Sequence, residues 1–199
     1  MQRAIPYVIS ALVVGIFSWY YLIVRGHPLN FTWANAIVAF SAVIILGLAM
    51  VMGSLAKFAR PLSKYAHFRK EFGLIGFALA AMHVALVIPI LIYSDEPALW
   101  ANAISAAVAG VAFMIFLLMA LTSTDLWMKS LGYENWKNLQ RTGYIALVLV
   151  MFHVLLLDKG AFLTRITGQI AIGFILIILL LRALAFATGM RQHKESTPQ

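Results

Sequence analysis

The chain has 199 residues, 63% of them hydrophobic and only 11% charged, with a mean hydropathy of +0.92. Soluble domains run at roughly 45–50% apolar and about 25% charged, so lipid must be the solvent for much of this surface, with no room left for a sizeable soluble domain. The absence of cysteine excludes disulfides, iron–sulfur clusters and thiol catalysis, and the formal charge of +8 reads as cationic loops on an anionic leaflet rather than as a nucleic-acid surface.

Six apolar runs are long enough, or nearly so, to cross a hydrocarbon core of about 30 Å: residues 5–24, 33–52, 72–93, 101–121, 142–157 and 166–185. The first is too long for a signal-peptide core, and no small-residue cleavage site follows it. Pro89 can kink the third. The fifth is short and is expected to begin earlier, in the amphipathic stretch 135–140. Before it, Thr122-Ser123-Thr124-Asp125 and Gly132 predict a short capped helix at the interface. No Asp or Glu falls inside any of the six runs.

The expected fold is all-α, a six-helix transmembrane bundle over residues 1–189 with a polar tail over 190–199. With both termini in the cytoplasm, twelve Lys and Arg lie on the inner side, and only Arg25, Lys159 and Arg165 on the outer one. That is the asymmetry of the positive-inside rule. Arg182 sits in the sixth run, close enough to its inner end to snorkel. Trp19, Tyr20, Tyr21, Trp33, Tyr93 and Trp100 are expected at the outer interface, and Tyr65, Phe68, Trp127, Tyr133 and Trp136 at the inner one.

Of the five histidines, only His83 and His153 lie within apolar runs, where a polar group needs a partner or a function. His83 stands about 20 Å of helix beyond Lys70, and His153 about 18 Å beyond Arg141. Runs three and five are parallel in this topology, so both imidazoles reach one level in the outer half. Such a pair can supply the two axial ligands of a b-type heme; alternatively, each can give one hydrogen bond to a neighbouring carbonyl. Gly76, Ala80 and Ala146 on the same faces either let helices approach closely or leave room for a flat macrocycle. Met82 and Met151 point away and read as packing. At the inner surface, Lys64, Arg69, Lys70, Lys137 and Arg141 can hold an anionic cofactor's phosphate, or they only anchor the helices. Arg25, His27, Lys159 and Arg165 stand at the level of outward-facing heme propionates.

Two stretches resemble a known family. Arg69-Lys70-Glu71-Phe72-Gly73-Leu74 leading to His83 is similar to the start of the third helix in the ferric-reductase-like transmembrane superfamily. Thr122-Ser123-Thr124, Leu131-Gly132, Trp136, Leu139 and His153 resemble the loop and fifth helix of its MsrQ (YedZ) type, the heme-binding subunits of periplasmic methionine sulfoxide reductase systems. The resemblance spans roughly residues 62–157. It implies a bacterial inner-membrane, multi-pass electron-transfer subunit of an oxidoreductase system. Its donor would be quinol or a cytoplasmic flavin reductase, and its acceptor a periplasmic molybdenum-containing catalytic subunit.

The resemblance also implies that His83 and His153 bind the iron of the outer heme and that FMN is a further cofactor. Where two-heme relatives carry inner histidines this chain has Arg69, Lys70, Leu139 and Gln140, and MsrQ-like sequences keep a His at the place of Gln140. An amide is no ordinary heme ligand, so one heme b is expected, with Arg69, Lys70, Gln140 and Arg141 as a candidate inner flavin or quinone site. His67 reads as a solvated interfacial residue. The alternatives are ferric-reductase-type or quinone-linked transfer to another acceptor, a small transporter with a histidine proton relay, and a structural partner without cofactor.

Overall fold

A computed structural model describes residues 4–58, 60–93, 102–157 and 163–195. Helix α1, Ile5–Ser18, runs on as a π-helical stretch, Trp19–Val24. Helix α2 spans Phe31–Phe58, where Asn30 caps the first turn by accepting the Trp33 N–H at 3.0 Å. A 3-10 segment, Arg60–Phe68, leads straight into α3, Arg69–Tyr93, which continues through Pro89. Then come α4, Ala103–Leu121, α5, Asp125–Leu131, α6, Tyr133–Arg141, α7, Gly143–Leu156, and α8, Ile166–Glu195.

Among the described residues there is no strand, and six helical stretches are long and apolar enough to cross a membrane. The fifth, Tyr133–Leu156, joins α6 to α7, as expected from the amphipathic stretch before it. The short capped helix is also present: the Thr124 side chain accepts from the Trp127 N–H, and Gly132 turns the chain at φ +76°.

Three features differ from the sequence expectation. Helix α3 starts at Arg69, so Arg69, Lys70 and Glu71 are helical. An acid in the first turn is favoured by the positive end of the helix dipole. A carboxylate therefore does enter a crossing, and its Oε2 is buried without a hydrogen-bond partner. Helix α8 continues to Glu195, past the expected start of the polar tail. Tyr21 is turned into the bundle rather than outward: it is 6% exposed and donates its hydroxyl to Thr167 Oγ1 at 3.1 Å. Trp100 and Lys159 lie outside the described residues.

Helix α2 is the centre of the bundle, packed on α1, α3, α7 and α8, while α4 pairs mainly with α7. A Cβ at Gly76 would lie 2.9 Å from the Leu46 backbone nitrogen, so the missing side chain sets the α2–α3 spacing. Ile45, Phe72, Ile175 and Ile178 are fully buried, while Leu12, Ile16, Ile23, Ile104 and Leu180 face outward. The 3-10 segment, α5 and α6 lie at one end of the bundle, called here the basic end.

Candidate functional site

The two intramembrane histidines meet. His83 on α3 and His153 on α7 have ring centres 6.5 Å apart and planes inclined at 62°. Each imidazole is held through Nδ1 by a second helix. His83 Nδ1 lies 2.7 Å from Asn35 Oδ1 on α2. His153 Nδ1 lies 2.8 Å from Ser105 Oγ and 3.0 Å from the Ser105 carbonyl oxygen on α4. The Ser105 hydroxyl in turn donates to the His153 carbonyl at 2.9 Å. Asn35 and Ser105 sit in the opening turns of α2 and α4 and His153 in the last turn of α7. The pair therefore lies toward the end of the bundle opposite the basic one, at the common level inferred from helical rise.

The small residues on the histidine faces make helix contacts. Gly76 is taken up by Leu46, and Ala80 and Ala146 pack in the core around Leu147 and Ile175. Met151 packs against the same core, as expected, whereas Met82, also read as packing, is exposed. At the histidine end His27 stacks on Trp33, with ring centres 3.4 Å apart. No group of three or more His, Asp or Glu suited to a metal ion occurs among the described residues.

A second feature lies at the basic end. A cavity of about 290 Å³ is lined by Arg69, Lys70 and Gln140 together, with His67 and Asp125 also on its wall and Phe77 and Phe116 among its apolar lining. Its size is at the lower limit of small-molecule sites, roughly 300–1,000 Å³. Arg69 Nη2 donates to the Gln140 carbonyl at 3.4 Å, and Gln140 Nε2 to the Met119 carbonyl at 3.2 Å. Arg141 does not join them. It is exposed, and its Nη1 donates to Asn138 Oδ1 at 2.9 Å. Lys64 and Lys137 sit over the rings of Tyr65 and Tyr133. Arg182 covers the ring of Tyr144, whose hydroxyl donates to the Met50 carbonyl at 3.1 Å.

Sequence reasoning missed Asn35, Ser105 and Asp125. Asn35 had a signal, since an amide inside an apolar run needs a partner. Ser105 had none, because a serine can satisfy itself on its own helix. Asp125 was read only as part of a helix cap.

Comparison with known proteins gives the framework. Residues 32–151 match the family described as ferric reductase like transmembrane component. Over 100 residues the chain is 29% identical to the protein-methionine-sulfoxide reductase heme-binding subunit MsrQ of Caulobacter vibrioides, covering 49% of this chain and 48% of that protein. Over 95 residues, 46% of the chain, it is 30% identical to the proteins of that name from Azospira oryzae and Rhodospirillum rubrum, covering 40% and 46% of them. The chain thus spans about half the length, or less, of the curated relatives it matches. The family match takes in Asn35, His83, Ser105 and the whole lining of the cavity, and stops just before His153. Six apolar crossings and a match over more than half of its length make the chain a multi-pass membrane protein that belongs to the ferric reductase like transmembrane component family.

Proposed function

We propose that this protein is a heme-binding electron-transfer subunit in which His83 and His153 hold a single heme b. The observation that carries the reading is the separation of the two imidazoles. With metal–imidazole nitrogen bonds of about 2 Å, two imidazoles could hold one metal only if their ring centres stood within about 6–7 Å of each other. The ring centres here are 6.5 Å apart. The donor set fits as well, since bis-imidazole ligation is an ordinary way of holding b-type heme iron. Such a heme supplies one-electron exchange between its ferric and ferrous states; the chain supplies the ligands, their orientation and a low-dielectric surround.

The direction of transfer is part of the proposal. With the basic end in the cytoplasm, as the positive-inside rule favours, the protein sits in a bacterial inner membrane and the histidines face the periplasmic half. Arg69, Lys70 and Gln140 then line an inner site for a flavin such as FMN, or for a quinol head group, while Arg141 lies outside that lining. A quinol or a cytoplasmic flavin reductase donates there. The acceptor is a periplasmic molybdenum-containing subunit; that it is a methionine sulfoxide reductase is supported by the relatives' names, which call them heme-binding subunits of a protein-methionine-sulfoxide reductase. Gln140 offers an amide in place of an imidazole, which supports one heme rather than two.

The purified protein is expected to show a Soret band that sharpens and shifts on reduction, with the α-band of a low-spin bis-histidine heme. His83→Ala and His153→Ala should each abolish that spectrum. Spectra unchanged in both variants would remove the ligand assignment, and a wild type without the band, from heme-replete cells, would end the electron-transfer reading. Extracted flavin well below one per chain would exclude FMN from the inner site.

A further inference from the structure

We propose that Asn35 and Ser105 are the positioning residues of the histidine pair, fixing both imidazoles as the Nδ1–H tautomer and turning Nε2 into the ligand nitrogen. The inference rests on the heme-ligand reading for its consequence, but its geometry stands by itself. At His153 the tautomer follows from the partners. The Ser105 hydroxyl lies 2.8 Å from Nδ1 and 2.9 Å from the His153 carbonyl; when its one proton goes to the carbonyl, Oγ is an acceptor toward Nδ1, and the main-chain oxygen beside it decides the matter. The Ser105 carbonyl, 3.0 Å from the same nitrogen, can only accept. The proton between them must therefore sit on Nδ1. At His83 the partner is the amide oxygen of Asn35, which likewise only accepts. In both rings the lone pair is then on Nε2.

The arrangement occurs twice with one spacing. Asn35 precedes His83 by 48 residues, and Ser105 precedes His153 by 48. In each case an opening turn on one helix holds an imidazole on a later one, α2 holding α3 and α4 holding α7. A contact made only to quiet a stray polar side chain has no reason to recur in register on the second histidine.

A hydrogen bond from the far nitrogen makes a metal-bound imidazole more basic and fixes its plane. More basic ligands favour the ferric state and lower the reduction potential. The two sides differ in how replaceable their acceptors are. At His83 the acceptor is the Asn35 side chain, whereas Ser105→Ala would leave the main-chain carbonyl in place at His153.

The test is redox titration of the heme-loaded full chain carrying Asn35→Leu, Asn35→Asp or Ser105→Ala. Asn35→Leu should raise the midpoint potential and Asn35→Asp should lower it. Ser105→Ala should raise it by less than Asn35→Leu. A merely structural Asn35 would move both of its variants the same way, or neither, and either result overturns the proposal. If Asn35→Leu fails to retain heme, Asn35→Gln replaces it; a potential nearer to wild type than that of Asn35→Asp supports the assignment, and one farther away overturns it. Nitrogen-15 shifts of labelled histidines in the heme-free protein give a separate readout. They should report protonated Nδ1 on both rings, and protonated Nε2 on either one refutes the tautomer. Failure of the heme reading shows elsewhere, as a wild type without a Soret band.

Discussion

The two ends of the bundle solve different problems. At one end, two imidazoles from α3 and α7 are brought within 6.5 Å and each is hydrogen-bonded through Nδ1 to another helix. At the other, α2 to α6 and the 3-10 segment leave a cavity of about 290 Å³ whose wall includes Arg69, Lys70 and Gln140. The first is polar chemistry placed in an apolar surround, where an unpaired nitrogen costs roughly 1–3 kcal/mol, so its geometry is fixed side chain by side chain. The second is space left beside small residues such as Gly73 and Ala120, with charge at its edge, and its shape tolerates change. Function built on the first should be brittle, and function built on the second graded.

The largest contrast is expected from His83→Ala set beside Gln140→Ala. The first removes half of the proposed ligand set and should abolish the heme spectrum. The second removes a donor to the Met119 carbonyl and should leave the spectrum intact, altering only the rate at which donors reduce the heme. Equal loss in both would mean that the cavity, too, holds the heme.

Next comes the helix spacing on which both ends depend. Gly76→Leu would place a side chain within 3 Å of the Leu46 backbone, and overpacking of this kind costs about 1–3 kcal/mol. A clear fall in the midpoint of thermal unfolding in detergent is expected, with heme loss accompanying it. Unchanged stability would show that α2 and α3 can slide apart, and the sequence's other option for Gly76, room for a macrocycle, would reopen.

A smaller effect isolates the cavity. A Cβ at Gly73 meets only the Ala49 Cβ, at 4.0 Å, so the first carbon of a side chain is accommodated there, and the rest of the leucine in Gly73→Leu is expected to take up space in the cavity that Gly73 lines. Heme content should stay at the wild-type level while reduction by quinol or reduced flavin slows by about tenfold, a barrier change of about 1.4 kcal/mol. A wild-type rate would place the donor site outside this cavity.

Much of the fold was legible because apolar length and loop charge act over whole segments. The six crossings needed no contact information, and the level of His83 and His153 came from helical rise alone. What escaped was pairwise. Asn35 and Ser105 are each 48 residues from the histidines they hold, and only the packing of α2 on α3 and of α4 on α7 joins them. Glu71 was lost to a boundary, since α3 begins at Arg69. Arg141 was grouped with Arg69 and Lys70 by charge, yet its position on α6 turns it toward Asn138 instead.

The smallest effect concerns how the histidine end is tied to the rest. Tyr21 lies in the π-helical stretch after α1, packs against Ile37 and Phe40 of α2, and donates to Thr167 at the start of α8. An extra residue in a helical turn rotates the side chains beyond it, and here it brings a buried hydroxyl onto a partner from a distant helix. Tyr21→Phe keeps the ring stacking with Phe40 and removes only that hydrogen bond, for an expected loss of about 1 kcal/mol. Although α2 also carries Asn35, the substitution does not touch the Asn35–His83 contact and should leave the tautomer of His83 unchanged while unfolding shifts slightly downward. If it altered the heme potential as much as Asn35→Leu does, the hold on His83 would have to be shared with the α1–α8 contact.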